Sequence, residues 1–316
     1  MPTEPEAARA MKSVPDTVLP VTAILAAVCL WGGSFSAMKV AVSTISPWTV
    51  MWLRMVVALA VMLPFAARLR PRAYRRGDWR PLLLLTLFQP CLYFLLESHA
   101  LQLTTSSQAG VISATVPLMV VLGARLALSE RMPARAVGGL VLSVFGVAWL
   151  TLAGSATESA SNPLLGNLLE LGAMASAAAY MVLIKRLSAR YSTWTLTVLQ
   201  TLGGAVFFLP GAAAVIRGDW IGWSSQQFLV LAFLGVGATL GAFGLYNWGM
   251  SRIEAGRASA FINLIPVVAV LLGWTLLDES LNPSQIAAAG CVFAGIWLSQ
   301  RAKGGRSVPA ELELSS

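Results

Sequence analysis

The chain has 316 residues, of which 57% are hydrophobic and 11% charged. A soluble domain averages about 25% charged residues, so this composition cannot clothe a water-facing surface, and a soluble enzyme or soluble binding module is excluded. The net charge of +8 would suit a nucleic-acid partner, but its distribution along the chain reads as membrane topology, and no nucleic-acid role is expected.

In chain order, residues 1–18 carry Glu4, Glu6 and Asp16 beside Arg9 and Lys12, unlike the basic start of a secretory signal. The apolar run from Val18 to Val42 is too long for a signal-peptide core and is expected to remain as a helix. About 20 apolar residues span a bilayer as a helix. On that measure the first span is predicted at 19–43, followed by spans at 47–68, 81–103, 107–127 and 134–153. A second set is predicted at 164–185, 193–215, 226–249, 256–277 and 284–301. The longest connections, Arg68 to Arg80 and Gly154 to Pro163, are too short to hold a domain. Cys29, Cys91 and Cys291 lie in apolar runs, and an odd count there argues against a disulfide framework.

Basic residues set the direction of these spans. With the N-terminus inside, the inner segments hold Arg9, Lys12 and the six arginines from Arg68 to Arg80. They also hold Arg125, Arg131, Arg135, Lys185, Arg186, Arg190, Arg252, Arg257, Arg301, Lys303 and Arg306. Lys39 and Arg217 fall toward the outside, and Arg54 lies within a span. This obeys the positive-inside rule. It predicts a multi-pass protein of a bacterial inner membrane, with cytoplasmic tails at 1–18 and 302–316.

An internal repeat organises the spans. PLMVVLGARLALSE (Pro117 to Glu130) recurs as PVVAVLLGWTLLDE (Pro266 to Glu279), offset by 149 residues. The same offset aligns Ala109 with Ala258, Val121 with Val270, Leu128 with Leu277 and Gly146 with Gly295, without a gap. Two units are therefore expected, at 19–153 and 164–301. Five helices per unit is an odd number, so the second unit must enter the membrane from the opposite side. The charges agree: the turn after the first unit's fourth helix holds Arg125, Arg131 and Arg135, whereas its twin has Asp278 and no basic residue. The fold class expected is an all-α polytopic membrane protein, ten transmembrane helices as two inverted five-helix repeats around a central cavity. Such repeats are a common plan for secondary transporters, with the substrate near the midplane.

The residues also resemble a known family. WGGSFSAMKVAV (Trp31 to Val42) and LRMVVALAVMLP (Leu53 to Pro64) are similar to the opening motifs of EamA-type transporters of the drug/metabolite transporter superfamily. Ala100 to Met132 resembles that family's third-to-fourth helix pattern, and Met250 to Leu281 is its counterpart in the second half. The resemblance covers nearly the whole chain. It implies a pseudosymmetric ten-helix basket that moves small metabolites, often amino acids. Helices 1, 3, 4, 6, 8 and 9 would surround the cavity, with helices 5 and 10 at its edge. Glu97 and His99 stand where the family more often has aromatic or small residues.

Ionisable groups inside a bilayer are costly and are functional candidates by default. Here they are Lys39, Arg54, Glu97 and Glu170, with the sole histidine, His99. All lie in the outer third of their predicted spans. Glu97 would bind a substrate ammonium or a proton, and Lys39 or Arg54 a carboxylate. The alternative is a structural Arg54–Glu97 ion pair with Lys39 snorkelling to the interface. His99 is either a proton carrier or a hydrogen-bonded bystander. Tyr93 shares a helix face with Glu97. Trp31 aligns with Tyr180 across the repeat, and Tyr246, Asn247 and Trp248 form an aromatic–polar cluster. Such rings line a cavity, hold a cation over a π-face or anchor at an interface. Trp48, Trp52 and Trp223 fit the anchor reading.

Pro117 and Pro266 each remove a helical hydrogen bond and would bend their helices. Ser113 and Asn263 stand ready to satisfy the freed backbone or to meet substrate. They read as hinges shaping the cavity. Glu130 and Glu279 fall at membrane exits and read as helix-end caps or turns. Asn282, Pro283 and Gln285 read as N-cap, N1 and N3 of the last helix. Gly237 and Gly241 form a GxxxG helix-packing signal. The overlapping nucleotide-like glycine pattern fails for lack of a strand before it.

These features point to a secondary transporter of small organic metabolites, an exporter of amino acids or related compounds, working by alternating access. The alternative is an integral membrane enzyme acting on a lipid or lipid-linked substrate, which would need a concentrated set of catalytic groups. No catalytic residue, metal or cofactor is expected. The partners expected are a small-molecule substrate and membrane lipids, without an obligate ATPase subunit.

Overall fold

In a bilayer every backbone N–H and C=O must be satisfied within the protein, so long apolar runs fold as helices. The computed structural model describes residues 18–68, 74–128, 134–188, 190–250, 252 and 261–301. Its first half comprises α1 (Val18–Val42), α2 (Pro47–Met62), α3 (Trp79–Thr86), α4 (Tyr93–Leu103), α5 (Ser106–Ser113), α6 (Val116–Leu128) and α7 (Ala134–Leu152). The second comprises α8 (Pro163–Leu187), α9 (Thr193–Phe207), α10 (Ala212–Ile216), α11 (Ser225–Ala232), α12 (Ala242–Met250), α13 (Ile265–Leu277) and α14 (Pro283–Arg301). Among the described residues there is no strand. Five helical stretches are long and apolar enough to cross a membrane, or six if α9 and α10, bent by 58°, count as one. Shorter apolar helices lie at Val137–Leu152, Ile265–Leu277 and Pro283–Leu298.

Breaks in the helices are as informative as the helices. Wide helical turns at Leu87–Leu92 and Phe233–Gly241 join α3 to α4 and α11 to α12. Pro117 and Pro266 do not kink a continuous helix, as the sequence suggested. The helix stops at Ser113 and restarts at Val116; α13 starts at Ile265 after a turn at Asn263 and Leu264. Each proline is thus the second residue of a new helix. There its missing N–H costs nothing and its fixed φ helps. Val116 and Ile265 are themselves related by the repeat offset.

Within lipid, helices associate by close packing rather than by escape from water. The aligned glycines Gly146 and Gly295 both lie where α7 packs on α14. A Cβ on Gly146 would lie 2.8 Å from Val292, and one on Gly295 would lie 2.5 Å from the Gly139 carbonyl. α1 lies against α13 through Gly32, where a Cβ would come within 2.6 Å of Val268. The predicted Gly237–Gly241 pair faces Leu30 at ordinary distances, and Gly235 is the tighter contact, 2.8 Å from Val57. Buried Met51, Met55, Phe208 and Leu234 form one core, and Ile112, Leu150, Met174 and Val292 another.

Polar clasps tie the two ends of the bundle. At one end Lys39 Nζ donates to the carbonyls of Leu101 (2.7 Å), Thr104 (2.7 Å) and Ser159 (2.6 Å). Beside it the buried Glu279 carboxylate accepts from the backbone N–H of Ser106 and of Ser107, each at 2.8 Å. It also accepts from the hydroxyls of those serines, at 2.9 and 2.7 Å. Glu279 therefore caps α5, where orphan N–H groups and the helix dipole favour a carboxylate. The sequence read this glutamate as a helix-end cap or turn at a membrane exit; it is a cap, and the helix it caps belongs to the other half of the chain. Asn282 and Gln285 cap α14 reciprocally, at 3.0 and 2.8 Å. Glu130 lies outside the described residues. At the other end Asp78 accepts from Arg190 at 2.6 Å and from the Tyr191 hydroxyl at 2.7 Å. The Arg190 guanidinium, the Tyr191 hydroxyl and the Arg75 N–H hold the Asp78 carboxyl at about 2. Burial, then the Asp78 carboxylate, pushes the Tyr191 hydroxyl up to about 12.

Candidate functional site

α3 cannot run unbroken into α4, because Gln89 is extended (φ −144°, ψ 122°) and Pro90 follows it. The carbonyls released there are taken by neighbours. Ser176 Oγ on α8 donates to Phe88 O at 2.8 Å, and Gln200 Nε2 on α9 donates to Gln89 O at 2.8 Å. Irregular backbone at membrane depth is tolerated where it is buried in protein or borders a cavity. Here it does border one, of about 360 Å³.

Arg54 on α2 stands in the cavity wall with Phe94, Tyr180, Gln200, Thr239 and Phe243. Its side chain is 4% exposed. Nε donates to Thr239 Oγ1 at 2.8 Å, and the guanidinium carbon lies 4.2 Å from the centroid of the Phe94 ring. Thr239 is held in turn by the Leu234 carbonyl, at 2.8 Å. Among the described residues no carboxylate lies within 4.0 Å of Arg54, since the recorded ion pairs are Arg190–Asp78 and Arg217–Asp219. A desolvated guanidinium with no carboxylate in direct contact, framed by aromatic rings, is equipped to receive one.

Of the four charges that the sequence grouped, the structure sets Lys39 apart and leaves Arg54, Glu97 and Glu170 without a direct ion pair among them. The Arg54–Glu97 ion pair is not formed. Glu97 is buried and its Oε1 accepts from the Tyr93 hydroxyl at 2.6 Å. Lys39 is not among the residues lining the cavity; three carbonyls engage its ammonium. Glu170 is 0% exposed, and neither of its oxygens has a hydrogen-bond partner. His99 Nδ1 lies 2.7 Å from the Leu95 carbonyl of its own helix, the bystander arrangement. Ser113 Oγ donates to Gly110 O at 2.7 Å, one turn back.

The aromatic candidates divide as well. Tyr180 lines the cavity. Trp31 packs on Phe243 and Tyr246, with ring centroids 5.1 and 5.3 Å away, and so supports the wall from behind. Arg252 stacks over Trp248 at 4.1 Å. The Asn247 side chain lies outside the described residues, and Asn263 sits in the turn before α13. Trp48 stacks on Phe207 at 5.8 Å. The cavity borders α2, α4, α8, α9 and α12, which belong to the second, third, sixth, seventh and eighth predicted spans; of the six that the resemblance implied, the third, sixth and eighth line it, and the first, fourth and ninth do not. Close packing of α1 and α5 on α13, through Gly32 and Gly110, fills the space the other helices would enclose. Gln89, Phe94, Gln200, Thr239 and Phe243 were not anticipated. Their signal was weak: uncharged polar or aromatic residues in apolar runs.

The profile of the EamA-like transporter family matches residues 18–152 and again residues 164–300. The chain belongs to this family. It is accordingly a multi-pass membrane protein with a transport role, and its relatives are named as transporters. It is 32% identical over 276 residues to the uncharacterized transporter YcxC of Bacillus subtilis (strain 168), spanning 84% of this chain and 87% of that protein. It is 24% identical over 288 residues to a protein of Streptantibioticus cattleyicolor named "Probable terminal-alkyne amino-acid exporter", spanning 90% and 95%. A solved protein crystal structure matches with a TM-score of 0.57 at 20% identity, covering 92% of this chain and 99% of its own. That likeness is one of fold.

Proposed function

We propose that this EamA-family protein is a secondary carrier exporting small carboxylate-bearing metabolites, amino acids or close relatives, across a bacterial inner membrane. The observation that carries the reading is Arg54, a buried cation with no carboxylate within 4.0 Å among the described residues, in the wall of a cavity sized for a small metabolite. Phe94 and Phe243 would take an apolar side chain, and Gln200 and Tyr180 would meet polar groups. The exporter name of the Streptantibioticus relative supports the substrate class. Relatives named as transporters favour transport over the lipid-enzyme alternative.

In this reading ten spans form two inverted units at 19–153 and 164–301, with both tails cytoplasmic. Alternating access would rock one unit against the other. The Lys39 and Glu279 clasps would then close the outer face, and the Asp78–Arg190 clasp the inner one. The broken helices at Ala114–Thr115 and Asn263–Leu264 supply places to bend. The test is counterflow in proteoliposomes with a panel of labelled amino acids, alongside melting shifts of the purified protein with the same panel. Panel members that bind and exchange in wild type, and are lost in Arg54→Gln, support the reading. A panel that neither shifts nor exchanges refutes the substrate class.

A further inference from the structure

Beyond the cavity wall lies a second constellation, the acid pair of α4 and α8. Glu170 is fully buried and has no donor at either oxygen. Glu97 has the Tyr93 hydroxyl at 2.6 Å, and Arg54 is the cation that acts on it. α4 packs on α8 at this level, with Leu96 against Gly172, and Glu97 is the charged group that acts on Glu170. The other ionisable groups near this packing are Tyr93 and His99 on α4 and Cys91 in the turn before it. Among the described residues, α3, α5, α6 and α7 bring no cation to Glu170. One buried positive charge thus serves two carboxyls. An uncompensated buried charge costs far more than a neutral acid. Two neighbouring acids in one site do not both ionise. Charge balance is met when Glu97 is the ionised member and Glu170 keeps its proton.

The cavity connects to this pair through Arg54. Phe94, in the cavity wall, is the residue next to Tyr93. A carboxylate arriving at Arg54 would claim the positive charge that Glu97 relies on. Balance would then return if Glu97 took up a proton.

We propose that the Glu97–Glu170 pair is a proton-coupling site: Glu170 holds a resident proton, and Glu97 takes a proton from water when a carboxylate ligand occupies Arg54. The step makes and breaks only an O–H bond. The proton passes from water to a Glu97 oxygen and returns to water when the ligand leaves. Ligand and proton favour each other's binding, reciprocally, so the two move together, and export proceeds where the outward substrate gradient exceeds the inward proton gradient. This deepens the carrier reading of the preceding section and rests on it.

Two measurements on the purified full chain test it. Infrared spectroscopy should show the carbonyl stretch of a buried protonated carboxylic acid. That band should vanish in Glu170→Gln, which mimics the neutral acid in shape. A wild-type spectrum without the band, or a band unchanged in Glu170→Gln, overturns the assignment of the resident proton. In weakly buffered solution, an equimolar mixture of the twenty amino acids should draw protons onto wild type and Glu170→Gln. It should draw none onto Glu97→Gln, although melting shifts still report binding there. Binding without proton uptake in wild type, or uptake retained in Glu97→Gln, overturns the coupling and leaves the carrier reading standing. A mixture that shifts nothing refutes the substrate class and the coupling built on it, while the infrared band still decides where the resident proton sits.

Discussion

Replacing Glu279 by alanine removes the cap of a helix that belongs to the other half of the chain. The carboxylate accepts four hydrogen bonds, from Ser106 N, Ser106 Oγ, Ser107 N and Ser107 Oγ. The two hydroxyls can rotate; Ser106 Oγ already lies 3.4 Å from Ser36 Oγ. The two backbone N–H groups cannot, and they stay buried without an acceptor. Hydrogen bonds to a charged group contribute about 1.5–3 kcal/mol each, and a lost N-cap costs about 0.5–2 kcal/mol. Allowing for the cost of burying the carboxylate, the net loss is about 3 kcal/mol. At about 2 °C per kcal/mol for a chain of this size, Tm should fall by roughly 6 °C. Glu279→Gln keeps one acceptor oxygen and should lose roughly half as much. The assay is intrinsic tryptophan fluorescence on heating, in detergent, at one scan rate. A Glu279→Ala protein that melts within about 1 °C of wild type would refute the capping argument.

Three further outcomes are expected. Lys39→Met leaves the carbonyls of Leu101, Thr104 and Ser159 without their ammonium, and should destabilise by about 2 kcal/mol in the same melt. Gly295→Val forces a side chain onto the Gly139 carbonyl and the Ser143 N–H; overpacking of this kind costs about 1–3 kcal/mol, and the melt should show it without loss of the Arg54 cavity. Asp78 has a folded-state pKa of about 2, below its ordinary 3.8. Its contribution is therefore complete above that ordinary value and is lost as pH falls through about 2. Hydrogen exchange at residues 74–80, corrected for intrinsic rate, should rise over that acid window in wild type and lose this pH dependence in Asp78→Asn.

The helices were legible because an apolar run in a bilayer has one way to satisfy its backbone. Gly146 and Gly295 were legible as an aligned pair of the repeat, but not as the close-packing points of α7 and α14. The prolines were misread because residue type marks where a helix cannot continue but not whether the chain bends or restarts. Lys39 was misread for a related reason. Its partners are three carbonyls from segments distant in sequence, and carbonyls carry no residue-type signal. Glu279 drew attention as half of a repeat, yet its burial depends on two serines of ordinary appearance. At the cavity the charge was visible in Arg54. The polar frame of Gln89, Gln200 and Thr239 was not, because uncharged polar residues occur in membrane helices for many reasons.

The Glu279 clasp also bears on how the protein is made. Ser106 leaves the ribosome 173 residues before the carboxylate that caps it. Until then the exposed end of α5 must be tended by water, lipid headgroups or the insertion machinery. The first half on its own is an unfinished object, and α5 within it should fray. Two halves expressed as separate chains should recover function only by assembling together, and a Glu279→Ala second half should rescue its partner poorly.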